Sequence, residues 1–289
     1  MKLKIILLSL MAIFHLGLVK AQEYSNYFTE GMNAAAEGRY SDALSLYEKG
    51  AVGGDKYCCG RAAAVYLYGL GGDTDIALAR KWAQKGYELG NSFSAAVLGY
   101  TYIFEYGMDS ETGITKAAPY FIYAYNADDC EKDYAEIYAN IGGLIAVAAF
   151  YKNEEDEAKT WIERVVADYP TYTPVLGLIS YLYWGYEDYE KAVKYATEAD
   201  KDNNIQASFV LGWCMVQGKG MIQNEEAGFK KIRKAALVGS LDDAMLALGE
   251  CYYNGKGTSV DKDQAKEWFL KAANAGNEKA QEKLNLLFK

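Results

Sequence analysis

The sequence predicts an all-α fold in which about seven two-helix units stack into a solenoid. Three observations predict it. A motif recurs at intervals of about 34 to about 41 residues, the range of helix-pair repeats. Its second helix carries apolar residues at i, i+3, i+4 and i+7, as at Ala265, Trp268, Phe269 and Ala272, the period of one helix face. The composition is poor in helix breakers: only 3 of 289 residues are Pro, and 51% are apolar. No Pro- or Ser-rich linker divides the chain, so one helical-repeat domain over residues 23–289 is expected.

Residues 1–22 read as an address. Lys2 and Lys4 precede an apolar run from Ile5 to Val19, and cleavage is expected after Ala21 or Gln22. The run is shorter than the ~20 residues of a spanning helix, and no later segment is apolar enough to cross a bilayer. Cleavage would remove Lys2, Lys4, Lys20 and the single His, His15, moving the net charge from −9 to about −12. The periplasm or the outside of a Gram-negative cell is the expected location.

The repeat is clearest where Ala79-Arg80-Lys81-Trp82-Ala83-Gln84-Lys85 is set beside Ala265-Lys266-Glu267-Trp268-Phe269-Leu270-Lys271. In the same register Gly90-Asn91 matches Gly276-Asn277, Asp75 matches Asp261, and Gly69 and Gly71 match Gly255 and Gly257. A third copy supplies Leu211-Gly212, Gly218-Lys219-Gly220 and Lys234-Ala235-Ala236. A small residue marks helix B of every unit: Ala43, Ala79, Ala117, Ala158, Ala192, Gly228 and Ala265. The units are expected at 24–54, 55–91, 92–130, 131–170, 172–203, 204–240 and 241–276. A capping helix at 277–289 would turn Leu284 and Leu287 inward.

Within a unit, helix A presents Leu248, Gly249 and Tyr252 on one face. Gly255 or Gly257 closes it in the left-handed conformation. Asp261 caps helix B, with Gln264 completing a capping box, and Asp75 and Asn224 hold the equivalent cap position. Helix B then presents Ala265, Trp268, Phe269 and Ala272. Alone, one pair cannot bury its face; stacked units share a core.

The order Leu-Gly, Tyr, Gly-x-Gly, Asp, Ala-x-x-Trp and Lys-Ala-Ala resembles the Sel-one-like repeat, a relative of the tetratricopeptide repeat. The resemblance is close over Ala62 to Gly90 and Leu211 to Gly276, and looser at Leu98 to Ala124. The segments Tyr24 to Gly54, Ala135 to Pro170 and Thr173 to Asp200 lack the Gly-x-Gly loop and look like plain tetratricopeptide units. The resemblance implies a right-handed superhelix and a role in protein–protein contact. Some cysteine-rich relatives are linked to binding or cleaving β-lactams, with one disulfide per repeat as their hallmark. Here Cys214 and Cys251 occupy equivalent A-helix positions without a helix B partner.

No catalytic residue, metal ligand set or cofactor site is expected. Without a His in the mature chain, Ser-His-Asp and Cys-His designs are excluded, as is the commonest metal ligand. Gly69-Leu70-Gly71-Gly72 follows a helix rather than a strand, so it reads as a repeat loop and not a phosphate cradle. Glu154-Glu155-Asp156-Glu157 suits the first turn of a helix. Cys58, Cys59, Cys130, Cys214 and Cys251 match no zinc spacing and read mostly as small buried residues. The acidic balance argues against nucleic acid as a partner.

A protein or peptide partner is expected instead, envelope components among the candidates. In helix-pair solenoids the A helices line the concave wall. Counting along them from the Leu-Gly position gives Tyr57, Phe93, Tyr100, Tyr181, Trp184, Phe209, Trp213, Leu246, Glu250 and Tyr253 as an aromatic docking face. Any one of them can equally be an inter-helix packing residue. The alternatives are a carbohydrate or peptidoglycan binder, since sugars also stack on Tyr and Trp, and a β-lactam or cell-wall hydrolase.

Overall fold

A computed structural model describes residues 25–107, 110–127, 135–239 and 241–288. The leader sequence, His15 and Cys130 lie outside the described residues. Those residues form fifteen α-helices and no strand. The helices divide between two compact units, one ending at Tyr169 and one beginning at Pro170.

The first unit holds α1 (Asn26–Ala36), α2 (Tyr40–Val52), α3 (Lys56–Tyr68), α4 (Ile76–Glu88), α5 (Ser92–Tyr106), α6 (Glu111–Asn126), α7 (Ala135–Tyr151) and α8 (Glu155–Asp168). The second holds α9 (Thr173–Gly185), α10 (Tyr189–Asp200), α11 (Ile205–Gln217), α12 (Glu225–Val238), α13 (Asp242–Asn254), α14 (Lys262–Asn274) and α15 (Glu278–Leu287). Within each unit every helix packs on the next, and odd-numbered helices also meet across a repeat, as α3 meets α5 and α9 meets α11. The odd helices are the A helices and the even ones the B helices.

The small marker residues explain the close pairing. Ala43, Ala79, Ala117, Ala158, Ala192 and Ala265 are fully buried. At the sixth position Gly228 faces Gly212 so closely that a Cβ on either would come within 3.0 Å of the other's carbonyl oxygen. Elsewhere the glycine at this A-helix position receives a helix B ring: Gly99 lies under Phe121, Gly249 under Phe269 and Gly31 under Tyr47. A side chain there would have to displace a buried ring from a close-packed interior.

Helix starts follow their caps. Asp75 accepts from the Leu78 N–H, Asn224 from Ala227, Asp188 from Lys191, and Asp261 from both Asp263 and Gln264. The expected reciprocal half of the capping box is absent, because the Gln264 amide turns to Glu267 at 3.5 Å. The acidic residues Glu155, Asp156 and Glu157 occupy the exposed first turn of α8, where they complement the helix dipole.

The Gly-x-Gly loops have a second function besides ending helix A. Gly255 and Gly257 have φ of 74° and 70°, both left-handed. The second glycine also presses on the preceding repeat. A Cβ on Gly257 would lie 2.1 Å from the Glu225 carbonyl oxygen, and one on Gly220 would lie 2.4 Å from that of Tyr189. Gly71 approaches Tyr40 and Ser41 in the same way. Each contacted residue opens a B helix, so the loop docks one unit on the start of its predecessor's second helix. The chain's end is closed by α15, with Leu284 buried and Leu287 packed against the Leu246–Phe269 cluster.

Candidate functional site

The aromatic positions on the A helices do not share one environment. In the first unit Tyr57 is half-buried on α3, edge-on to Phe28 at 5.9 Å and under the Lys56 ammonium at 5.1 Å. Phe93 and Tyr100, both on α5, are buried. Phe93 takes the Arg61 guanidinium at 4.4 Å, and Tyr100 packs edge-on to Phe121 at 5.1 Å. These two rings serve packing and offer no surface.

In the second unit the positions divide along the helix. Phe209 on α11 is fully buried and Leu246 on α13 belongs to the core, both lying N-terminal of the Leu-Gly pair. Those on the C-terminal side stay half-exposed: Tyr181 and Trp184 on α9, Trp213 on α11, Glu250 and Tyr253 on α13. Trp184 meets Trp213 edge-on at 5.6 Å and Phe209 at 5.0 Å, while Tyr181 lies 5.4 Å from Trp184. The Trp184 indole N–H is buried with no hydrogen-bond partner among the described residues.

Three further residues complete this face, and counting along A helices could not find them. Tyr189, from the start of α10, stacks on Trp213 at 5.4 Å and 22°. Lys219, the middle residue of a Gly-Lys-Gly loop, sets its ammonium 4.5 Å above Tyr189 and 5.6 Å from Trp213. Asp243, at the start of α13, accepts the Tyr181 hydroxyl and, at 3.1 Å, the Asn277 side-chain amide. Asn277 also donates to Asp242 at 3.0 Å. Burial, aided by repulsion from Asp242, raises the Asp243 carboxyl above its ordinary value, although the bonds from Tyr181 and Asn277 pull the other way. The only sequence signal for Lys219 is its place inside the recurring loop. The result is a polar strap linking α9, α13 and the cap of α15 beside the aromatic rings.

At the end of the face, Tyr253 lies under the Lys262 ammonium at 3.7 Å and edge-on to Phe288 at 6.0 Å. Glu250 pairs with Lys283 at 2.8 Å.

The first unit has a different tyrosine cluster, on positions that the sequence reading did not single out. Tyr102 and Tyr120 stack at 5.7 Å and 10°, Tyr87 meets Tyr120 and Tyr123 edge-on, and Arg80 lies 4.7 Å from the Tyr102 ring. A shallow open depression of about 730 Å³ adjoins it, lined by Tyr87, Pro119, Ile122 and Tyr123 among others.

Among the described residues no His, Cys, Asp or Glu group is arranged to hold a metal ion. Cys58, Cys59, Cys214 and Cys251 are buried and free. Burial raises all four thiols, Cys59 to about 11 and Cys214 and Cys251 to about 12. They behave as small apolar core residues. No described helix is long and apolar enough to cross a membrane.

Comparison with known proteins adds to this geometry. The Sel1 repeat family model matches residues 57–91, 176–199, 205–240 and 242–277. Among solved structures, a Sel1 repeat protein from Oxalobacter formigenes is similar with a TM-score of 0.57 at 22% identity, over 86% of this chain and 99% of that one. A protective antigen of uropathogenic Escherichia coli that displays an SLR fold is similar with a TM-score of 0.53 at 22% identity. That alignment covers 90% of this chain and 63% of the antigen. Sequence comparison with curated proteins finds no match. Four family matches, each falling on one helix pair, identify these four segments as Sel1 repeats.

Proposed function

We propose that the chain is an exported, non-enzymatic scaffold that docks a protein or peptide on the aromatic A-helix face of its second unit. Sel1 repeats are in general non-catalytic scaffolds for protein–protein contact. The observation that carries the finer reading is the half-exposed run of Tyr181, Trp184, Trp213 and Tyr253 on three successive A helices. Such rings provide large contact area at a low cost in side-chain entropy. Export to the periplasm or beyond rests on the N-terminal basic and apolar pattern alone.

The test replaces Trp184 and Trp213 together by Ala. Envelope proteins retained by the immobilised wild-type chain should be lost from the double variant, provided its far-ultraviolet dichroism is unchanged. Equal retention by a folded double variant removes the docking face. N-terminal sequencing of the expressed protein tests export: a mature start after Ala21 or Gln22 is expected, and a cell-associated chain with the leader intact would contradict it.

A second reading, carbohydrate binding, is favoured by the stacked tyrosines of the first unit, because sugar C–H faces pack on exposed rings. Retention on insoluble peptidoglycan that soluble sugar reverses, and that Tyr120→Ala abolishes, would support it.

A further inference from the structure

We propose that the partner segment docked by the second unit is an acidic peptide, selected by lysines that rim the aromatic face. The inference rests on the docking reading above and adds the chemistry of the occupant.

Three observations point to negative charge in the ligand. First, the face's lysines are not ion-paired. Lys219, Lys256 and Lys262 have no carboxylate partner among the described residues, a condition they share with Lys194, Lys234 and Lys266 on B helices. Lys219 and Lys262 instead stand over the rings of Trp213 and Tyr253, and Lys256 bonds the Gln217 side-chain oxygen at 2.9 Å. Second, the carboxylates of the same face are already engaged. Glu250 is paired with Lys283, and Asp243 is held by Tyr181 and Asn277. Third, almost all of the chain's excess negative charge lies before Tyr169, which leaves the second unit nearly balanced. That balance leaves the three lysines without a large local excess of negative charge to repel an acidic ligand.

The lysines recur with the repeat. Lys219 and Lys256 are the middle residues of successive Gly-Lys-Gly loops, so the cations line the same end of neighbouring A helices. An ammonium above an aromatic ring is held in place before a ligand arrives, which lowers the ordering cost of recognising a carboxylate. An extended segment could then lay apolar side chains on Trp184 and Trp213 while its acidic residues meet the lysines.

The experiment pans a phage-displayed random library of about 12 residues against the full chain at low salt. The enriched sequences should be acidic and should contain apolar residues. A synthetic copy of the most enriched peptide should bind about tenfold more weakly when salt rises from about 50 to about 500 mM. Replacing Lys219, Lys256 and Lys262 together by Gln should weaken it at least about tenfold, with unchanged dichroism and little remaining salt dependence. Enrichment of neutral or basic sequences, or equal binding by the triple variant, overturns the acidic assignment and leaves peptide docking standing. Absence of any enrichment overturns both.

Discussion

Gly257→Ala should loosen the junction between the last two repeats, and its cost can be worked from the geometry. Gly257 has φ of 70°, and an Ala there pays about 1–2 kcal/mol for left-handed backbone. Its Cβ would also stand 2.1 Å from the Glu225 carbonyl oxygen, 2.6 Å from the carbonyl carbon and 2.8 Å from the Phe229 Cβ. Backbone atoms cannot swing aside as a side chain can, so the loop must lift off the start of α12, an overpacking cost of about 1–3 kcal/mol. Reduced freedom of the unfolded chain returns about 0.4–1 kcal/mol. The net loss is therefore about 1–4.5 kcal/mol, centred near 3. Gly276 in the same unit is the control: its φ is 98°, yet nothing lies within 4 Å of an added Cβ. Gly276→Ala should lose only the backbone part, about 0–1.5 kcal/mol. Urea unfolding followed by far-ultraviolet dichroism measures both. If the two variants lose the same stability to within about 0.5 kcal/mol, the inter-repeat role of the second glycine is wrong.

Other outcomes follow from the same structure. The four buried thiols should resist Ellman's reagent at pH 8 in the folded chain and react after denaturation; with Cys130 outside the described residues, more than one reactive thiol in the native state would contradict this. Asp243 has its carboxyl raised by burial, so the folded state holds a proton that the unfolded state has released; its contribution is fullest below the unfolded value near 3.8 and is lost as pH rises through the folded value. The stability of Asp243→Asn minus that of wild type should accordingly grow from pH 4 to pH 7, and a flat or falling difference would refute the assignment. Asp200 shows the opposite sign: burial disfavours its charge, but bonds from Lys231 and Ser208, each at 2.6 Å, outweigh that and hold the carboxyl below its ordinary value. Asp200→Ala should lose about 1 kcal/mol at pH 7, and that loss should fade as pH drops through the folded value. An undiminished loss in acid would mean that packing, not charge, is responsible.

The fold was legible in the sequence because its determinants are local and repeat. Asp75, Asn224 and Asp261 cap the helices they precede, and the marker residues from Ala43 to Ala265 are buried wherever structure is described. The docking face was legible only in part. Counting along one helix treats its stripe as uniformly open, but each A helix lies between its own B helix and neighbouring A helices. That covers Phe93, Tyr100, Phe209 and Leu246 while leaving Tyr181, Trp184, Trp213 and Tyr253 half-exposed. Tyr189, Lys219 and Asp243 join the face from a helix start, a loop and a residue 62 positions beyond its partner Tyr181. Such neighbours come from the stacking of units, which no periodicity within a unit encodes.

The residues that the loop glycines touch differ in kind. Gly71 meets Tyr40 and Ser41, Gly220 meets Tyr189 and Gly257 meets Glu225, largely through main-chain atoms. A joint made of peptide groups is indifferent to the side chains that surround it. Duplicated modules can therefore diverge in every ring and charge they display while still seating on one another, and a new specificity can evolve without the stack being redesigned.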